Sequence, residues 1–142
     1  MDTPVGPWCA RLIQEHLVAL ADEMVQWARA MDPQEFPPDR ASDRDRFMRF
    51  YSVIAQALDT GDKQAAIATF EQMAEERLRT KVRADSIIKL VDHGGDALAH
   101  LIGAQPVAAT TAADALRQVR SLLAACRMIL SKVNIQLLTH PE

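Results

Sequence analysis

The sequence predicts an all-α fold: five helices in a globin-like packing or an antiparallel bundle, with a long C-terminal helix. Three observations carry that expectation. Apolar residues recur at steps of three and four along most of the chain, the spacing of one helix face. No segment alternates apolar and polar residues as a half-buried strand would. Aromatic residues are few, two Trp, one Tyr and four Phe, so the apolar content is mostly Ala, Leu, Ile, Val and Met, which favours helix over sheet.

The first helix is expected over 8–31, with Ile13, Leu17, Leu20, Met24, Trp27 and Met31 on its apolar face. Asp32-Pro33 and Phe36-Pro37-Pro38 end it, because proline lacks a donor and restricts the residue before it. A second helix is expected over 40–59 through Phe47, Phe50, Tyr51, Ile54 and Leu58, ended by Gly61. Asp62 is the natural N-cap of a third, 62–79, with Ala66, Ile67, Phe70, Met73, Ala74 and Leu78 inward. The fourth, 85–103, carries Ile87, Ile88, Val91, Leu98, Leu101 and Ile102. Its stripe is interrupted by Gly94-Gly95, each costing about 1 kcal/mol against Ala in a helix interior, so a bend or a close approach is expected there.

The fifth helix, 111–138, is expected to be capped by Thr110 or Thr111 and has the most regular pattern in the chain. Ala112, Leu116, Val119, Leu123, Cys126, Leu130, Val133 and Leu137 alternate steps of four and three over more than three heptads. Ala115, Leu122 and Ile129 form a second line beside them. One line can pack on the domain while the other meets a second copy, so a homodimer is expected with Leu116, Val119, Leu123, Cys126, Leu130, Val133 and Leu137 as its interface.

The chain of 142 residues fits one domain, 1–142, able to build a core without metal or disulfide staples. Its 49% hydrophobic and 25% charged content excludes a disordered or low-complexity chain. A net charge of -3 argues against a general nucleic-acid binder, which needs a surplus of cations for the phosphates. Cys9 and Cys126 lie far apart with no metal-ligand spacing around them, so neither a zinc site nor a redox pair is expected. The N-terminus, MDTPVGPWCA, is unlike a signal peptide, and no run of 18 uninterrupted apolar residues occurs, so no membrane span and a cytoplasmic location are expected.

Chemistry-bearing residues are sparse. His93 and His100 are the weak ligand-binding candidates; on one helix they stand about 10 Å apart, too far to share a metal ion. A lone helical His suits a haem or tetrapyrrole globin, the reading that points to His93. His100-Leu-Ile-Gly103 bears a loose likeness to the His-x-x-Lys-Gly stretch of histidine phosphotransfer bundles, with Ile102 in place of the basic residue. Glu75-Glu76 and Asp43-Asp45 are expected as solvated charges, not as an acid–base pair. Asp92-His93-Gly94-Gly95 lacks the strand that precedes a phosphate-binding glycine loop, and no serine elbow, Walker sequence or HExxH is present. No catalytic residue, metal ligand or cofactor is expected. The basic stretch Arg77, Arg79, Lys81, Arg83 is expected as a solvated helix–helix corner, and Trp8 and Trp27 as core or interface anchors.

Leu58-Asp59-Thr60-Gly61-Asp62, the helix end Met73-Ala74-Glu75-Glu76-Arg77, and Val82-Arg83-Ala84-Asp85-Ser86-Ile87-Ile88-Lys89-Leu90, with Trp27 ahead of them, carry a family likeness. The order resembles the N-terminal sensor domain of RsbR-type stressosome proteins and related regulators. That resemblance implies a globin-like fold without haem, a homodimer, and a signal relayed through the last helix to a STAS domain. It also implies a STAS-type or switch-kinase partner in stress signalling. Two departures stand out: Lys81-Val82-Arg83 replaces a corner often built on Gly, and no STAS domain follows His140-Pro141-Glu142, as expected of an isolated sensor or a free-standing relative. The function expected is therefore a non-catalytic regulatory module responding to a ligand or a partner. The alternatives are a phosphotransfer bundle and a haem- or tetrapyrrole-binding globin.

Overall fold

A computed structural model describes residues 4–38, 41–80 and 82–139. The fold is all-α. Among the described residues there are six helices and no strand: α1 Val5–Glu15, α2 Leu17–Met31, α3 Ser42–Thr60, α4 Lys63–Arg79, α5 Ala84–Gly103 and α6 Ala109–Thr139. α3 and α6 form the centre. α1, α2 and α4 pack on α3, while α1, α4 and α5 pack on α6. Residue 40, the expected start of the second helix, Lys81 of the basic stretch and His140 of the C-terminus lie outside the described residues.

The first expected helix is two helices. The chain leaves helical geometry at His16 (φ -111°, ψ 14°), where the ring Nδ1 lies 2.9 Å from the Leu12 carbonyl oxygen. α1 buries Cys9, Leu12 and Ile13, while α2 buries Leu20, Ala21, Met24 and Val25. Ile13 and Leu20 keep heptad spacing across the break, so apolar periodicity carries no mark of it.

The remaining boundaries follow local chemistry. Gly61 ends α3 in the left-handed region (φ 74°), which glycine adopts without a Cβ penalty. Asp62 caps α4 by accepting the Ala65 N–H at 3.1 Å. α6 starts earlier than expected, at Ala109, with the Ala112 N–H bonded to the Ala108 carbonyl at 3.1 Å, so Thr110 and Thr111 lie inside its first turn. α5 has no cap from its own side chains. Glu35 serves instead, from the loop after α2: its carboxylate accepts the Arg83 N–H at 2.7 Å and the Ser86 hydroxyl at 2.6 Å. A carboxylate suits the positive end of the α5 dipole. Arg83 also reaches Glu35 and Asp32, so this corner is cross-linked and not merely solvated.

The glycine pair in α5 marks close contact within an unbroken helix. A Cβ on Gly94 would lie 2.9 Å from a Phe50 ring carbon and 3.3 Å from the Met24 methyl. A Cβ on Gly95 would lie 2.9 Å from the Leu123 Cδ1 of α6.

The expected dimer interface requires correction. Val119, Leu123, Cys126, Leu130 and Val133 are buried within the single chain, and Leu116 and Leu137 are half-buried. The flanking line, Ala115, Leu122 and Ile129, is buried or half-buried too. Because α6 is wedged among α1, α3, α4 and α5, one broad internal face consumes both apolar lines. The large apolar side chains left outside on α6 are Met128, Ile135 and Leu138, exposed by 74%, 60% and 75%. At 31 residues α6 is also long and apolar enough, by length and composition, to cross a membrane, although charged and polar residues interrupt its apolar runs.

Candidate ligand-binding cleft

The N-terminal half of α3, the C-terminal half of α4 and the first turns of α5 diverge around a cavity of about 90 Å³. Helix periodicity explains how each element lines it. α3 places Phe47 and Phe50 inward, three residues apart, and the residue before each, Arg46 and Arg49, turns about 100° away toward the mouth. α4 adds Phe70, Met73, Ala74 and Arg77, a run of i, i+3, i+4 and i+7. α5 contributes Ile87, Leu90 and Val91 of the same pattern, and its next member is Gly94, whose missing side chain makes room for Phe50. Met24 reaches in from α2.

The interior is apolar and aromatic. Phe50 and Phe70 face each other with ring centroids 6.1 Å apart at 55°, a tilted arrangement favoured by ring quadrupoles. Met24 and Met73 are unbranched and can reshape the wall at little rotamer cost. The rim is charged: three arginines and one carboxylate, Glu76, line the cleft.

Asp43 organises part of that rim, which corrects its expected place on a solvated face. It is buried, 3.3 Å from Arg46 and 3.7 Å from Arg77. Its position in the first turn of α3 also places its charge at the favourable helix end. The Arg77 guanidinium lies 5.6 Å from the Phe36 ring centroid, within cation–π range. Arg77 is thus held between α3, α4 and the 32–38 loop. Glu75, by contrast, lies at the surface and pairs with Arg79 at 3.0 Å.

His93 does not face the cleft. Its ring stacks on Trp27, centroids 4.3 Å apart and 10° from parallel, and Nε2 lies 2.8 Å from both Glu23 carboxylate oxygens. The nitrogen that a haem iron would need is therefore committed to Glu23, and the contact ties α5 to α2. His100 is exposed, near the end of α5. The structure does not bring the two together. Among the described residues no group of three His, Cys, Asp or Glu is placed to hold a metal ion. Cys9 and Cys126 are free and buried, and burial pushes their thiols up to about 11 and about 12.

Among the described residues the cleft is lined by apolar side chains and guanidinium donors, with Glu76 beside them, a lining suited to binding. The larger depression between α1 and α3, about 330 Å³, is bordered by Arg11, Gln14, Gln56 and Asp59, all exposed, and lacks such an apolar interior. The cleft is not legible in the sequence because its walls come from four helices, each of whose apolar residues reads as ordinary core. The gap at Gly94 is a local sign of it.

No family model, curated protein or solved structure matches the chain.

Proposed function

We propose that this chain is a non-catalytic regulatory module that binds a small, largely apolar ligand in the α3–α4–α5 cleft and transmits its occupancy to α6. The observation that carries this reading is the meeting of cleft wall and output helix at adjacent residues. Gly94 abuts Phe50 of the cleft, and Gly95 abuts Leu123 of α6. A ligand that moves the Phe50 ring therefore presses on a helix whose next residue sits against α6. Close-packed interiors transmit such displacements because they have little free volume to absorb them.

The resemblance to stressosome sensor domains supports the same reading, since those proteins relay signals through their last helix. A cytoplasmic setting, a homodimer and a STAS-type or switch-kinase partner belong to the proposal on that ground. Its pairing surface is the outer edge of α6, where Met128, Ser131, Ile135 and Leu138 keep three–four spacing and are all exposed.

Two measurements test the proposal. Methyl NMR of the chain titrated with 1-hexanol should shift the Met24 and Met73 methyls first; no shift at millimolar probe would reject the cleft as a binding site. In sedimentation, Ile135→Glu should turn a dimer into a folded monomer, whereas Leu123→Glu, which places a charge in the core, should unfold the chain. A wild-type monomer at high concentration would remove the dimer.

A further inference from the structure

We propose that the cleft selects an amphipathic anion, a short linear alkyl carboxylate or its chemical equivalent, with the chain between Phe50, Phe70 and Met73 and the anionic group on Arg49. The inference rests on the cleft being a binding site and adds the class of ligand. Its first ground is charge: three guanidiniums and one carboxylate line the cavity. They are not equivalent. Buried Asp43 engages Arg46 and Arg77, at 3.3 and 3.7 Å. Arg49 has no hydrogen bond or ion pair among the described residues and is exposed at the mouth.

The second ground is position. Arg49 immediately precedes Phe50, so one helical step separates a cleft wall from an uncommitted cation. A ligand whose tail touches the Phe50 ring has its head within reach of that guanidinium, whose planar fork binds a carboxylate through two parallel hydrogen bonds. The third ground is size. A cavity of about 90 Å³ takes only part of a six-carbon chain, so a narrow, flexible tail that leaves its remainder at the mouth suits it better than a rigid body. The methionines let such a chain seat at more than one length.

The test compares hexanoate, 1-hexanol and hexylamine on the intact wild-type chain and on Arg49→Gln, at low salt, following the Met24 and Met73 methyls by NMR. Low salt matters because an exposed ion pair is screened. Expected for the wild type is hexanoate about tenfold tighter than 1-hexanol, about the 1.4 kcal/mol of one charge-assisted contact, with hexylamine the weakest. Arg49→Gln should erase the hexanoate preference while leaving 1-hexanol binding within about twofold. Equal affinity for hexanoate and 1-hexanol, or tighter binding of hexylamine, overturns the anion preference and leaves the cleft as an apolar site. Retention of the full preference in Arg49→Gln overturns the role of Arg49. Absence of methyl shifts with any of the three overturns the cleft itself.

Discussion

The two ends of α3 are packed in opposite ways. At its C-terminal end the backbone is in contact with α1: a Cβ on Gly6 would stand 2.3 Å from the Leu58 carbonyl oxygen, closer than any side chain can come. At its N-terminal end Arg46, Phe47, Arg49 and Phe50 border a cleft whose other walls include two methionines. Backbone cannot move aside without dragging a helix, whereas aromatic rings and thioethers turn about single bonds. One helix thus joins a rigid end, which sets the scaffold, to an adjustable end, where a ligand can be accommodated.

Three alanine substitutions at glycine test that contrast. Gly6→Ala should be the most damaging, by about 3 kcal/mol in urea unfolding, because the clash is with a main-chain carbonyl and forces α1 away from α3. Gly94→Ala should cost about 1 kcal/mol: the crowding of Phe50 and Met24 slightly exceeds the helix-propensity gain. Its larger effect should be on the cleft, with probe binding weakened about tenfold. Gly95→Ala should be near neutral, within about 0.5 kcal/mol, since its closest neighbour is the far end of a leucine side chain that can rotate. A Gly6→Ala chain as stable as wild type would remove the rigid end from the comparison.

The thiols probe the dense side of the fold. Burial raises Cys9 to about 11 and Cys126 to about 12 from an ordinary 9.0, favouring the neutral thiols. That contribution to stability is fully present below pH 9 and lost as pH climbs through the raised values, so the chain should lose stability on the alkaline side. Neither cysteine should react with iodoacetamide at neutral pH in the native state, and both should react once urea unfolds the chain.

Much of this architecture is legible in the sequence, for reasons tied to particular residues. Gly61 and Asp62 mark the α3–α4 turn through local chemistry alone, and the gap at Gly94-Gly95 marks a close approach. What is not legible depends on partners distant along the chain. Asp43 reads as a solvated acid until Arg77 is brought beside it, and the α5 cap comes from Glu35 in another loop. The stripe from Leu116 to Leu137 has the period of a pairing seam. The same period serves a helix wedged among neighbours, and the burial of Val119, Leu123, Cys126, Leu130 and Val133 within one chain separates the two uses. The break at His16 is silent because the apolar residues on either side keep their phase.

The proposed coupling runs from the cleft to α6 through Gly94 and Gly95. Hydrogen exchange of the intact chain with and without saturating 1-hexanol tests it most directly. Slower exchange is expected in α6 around Leu122–Cys126 as well as in α3 and α4. Protection confined to α3 and α4, with α6 unchanged, would contradict it.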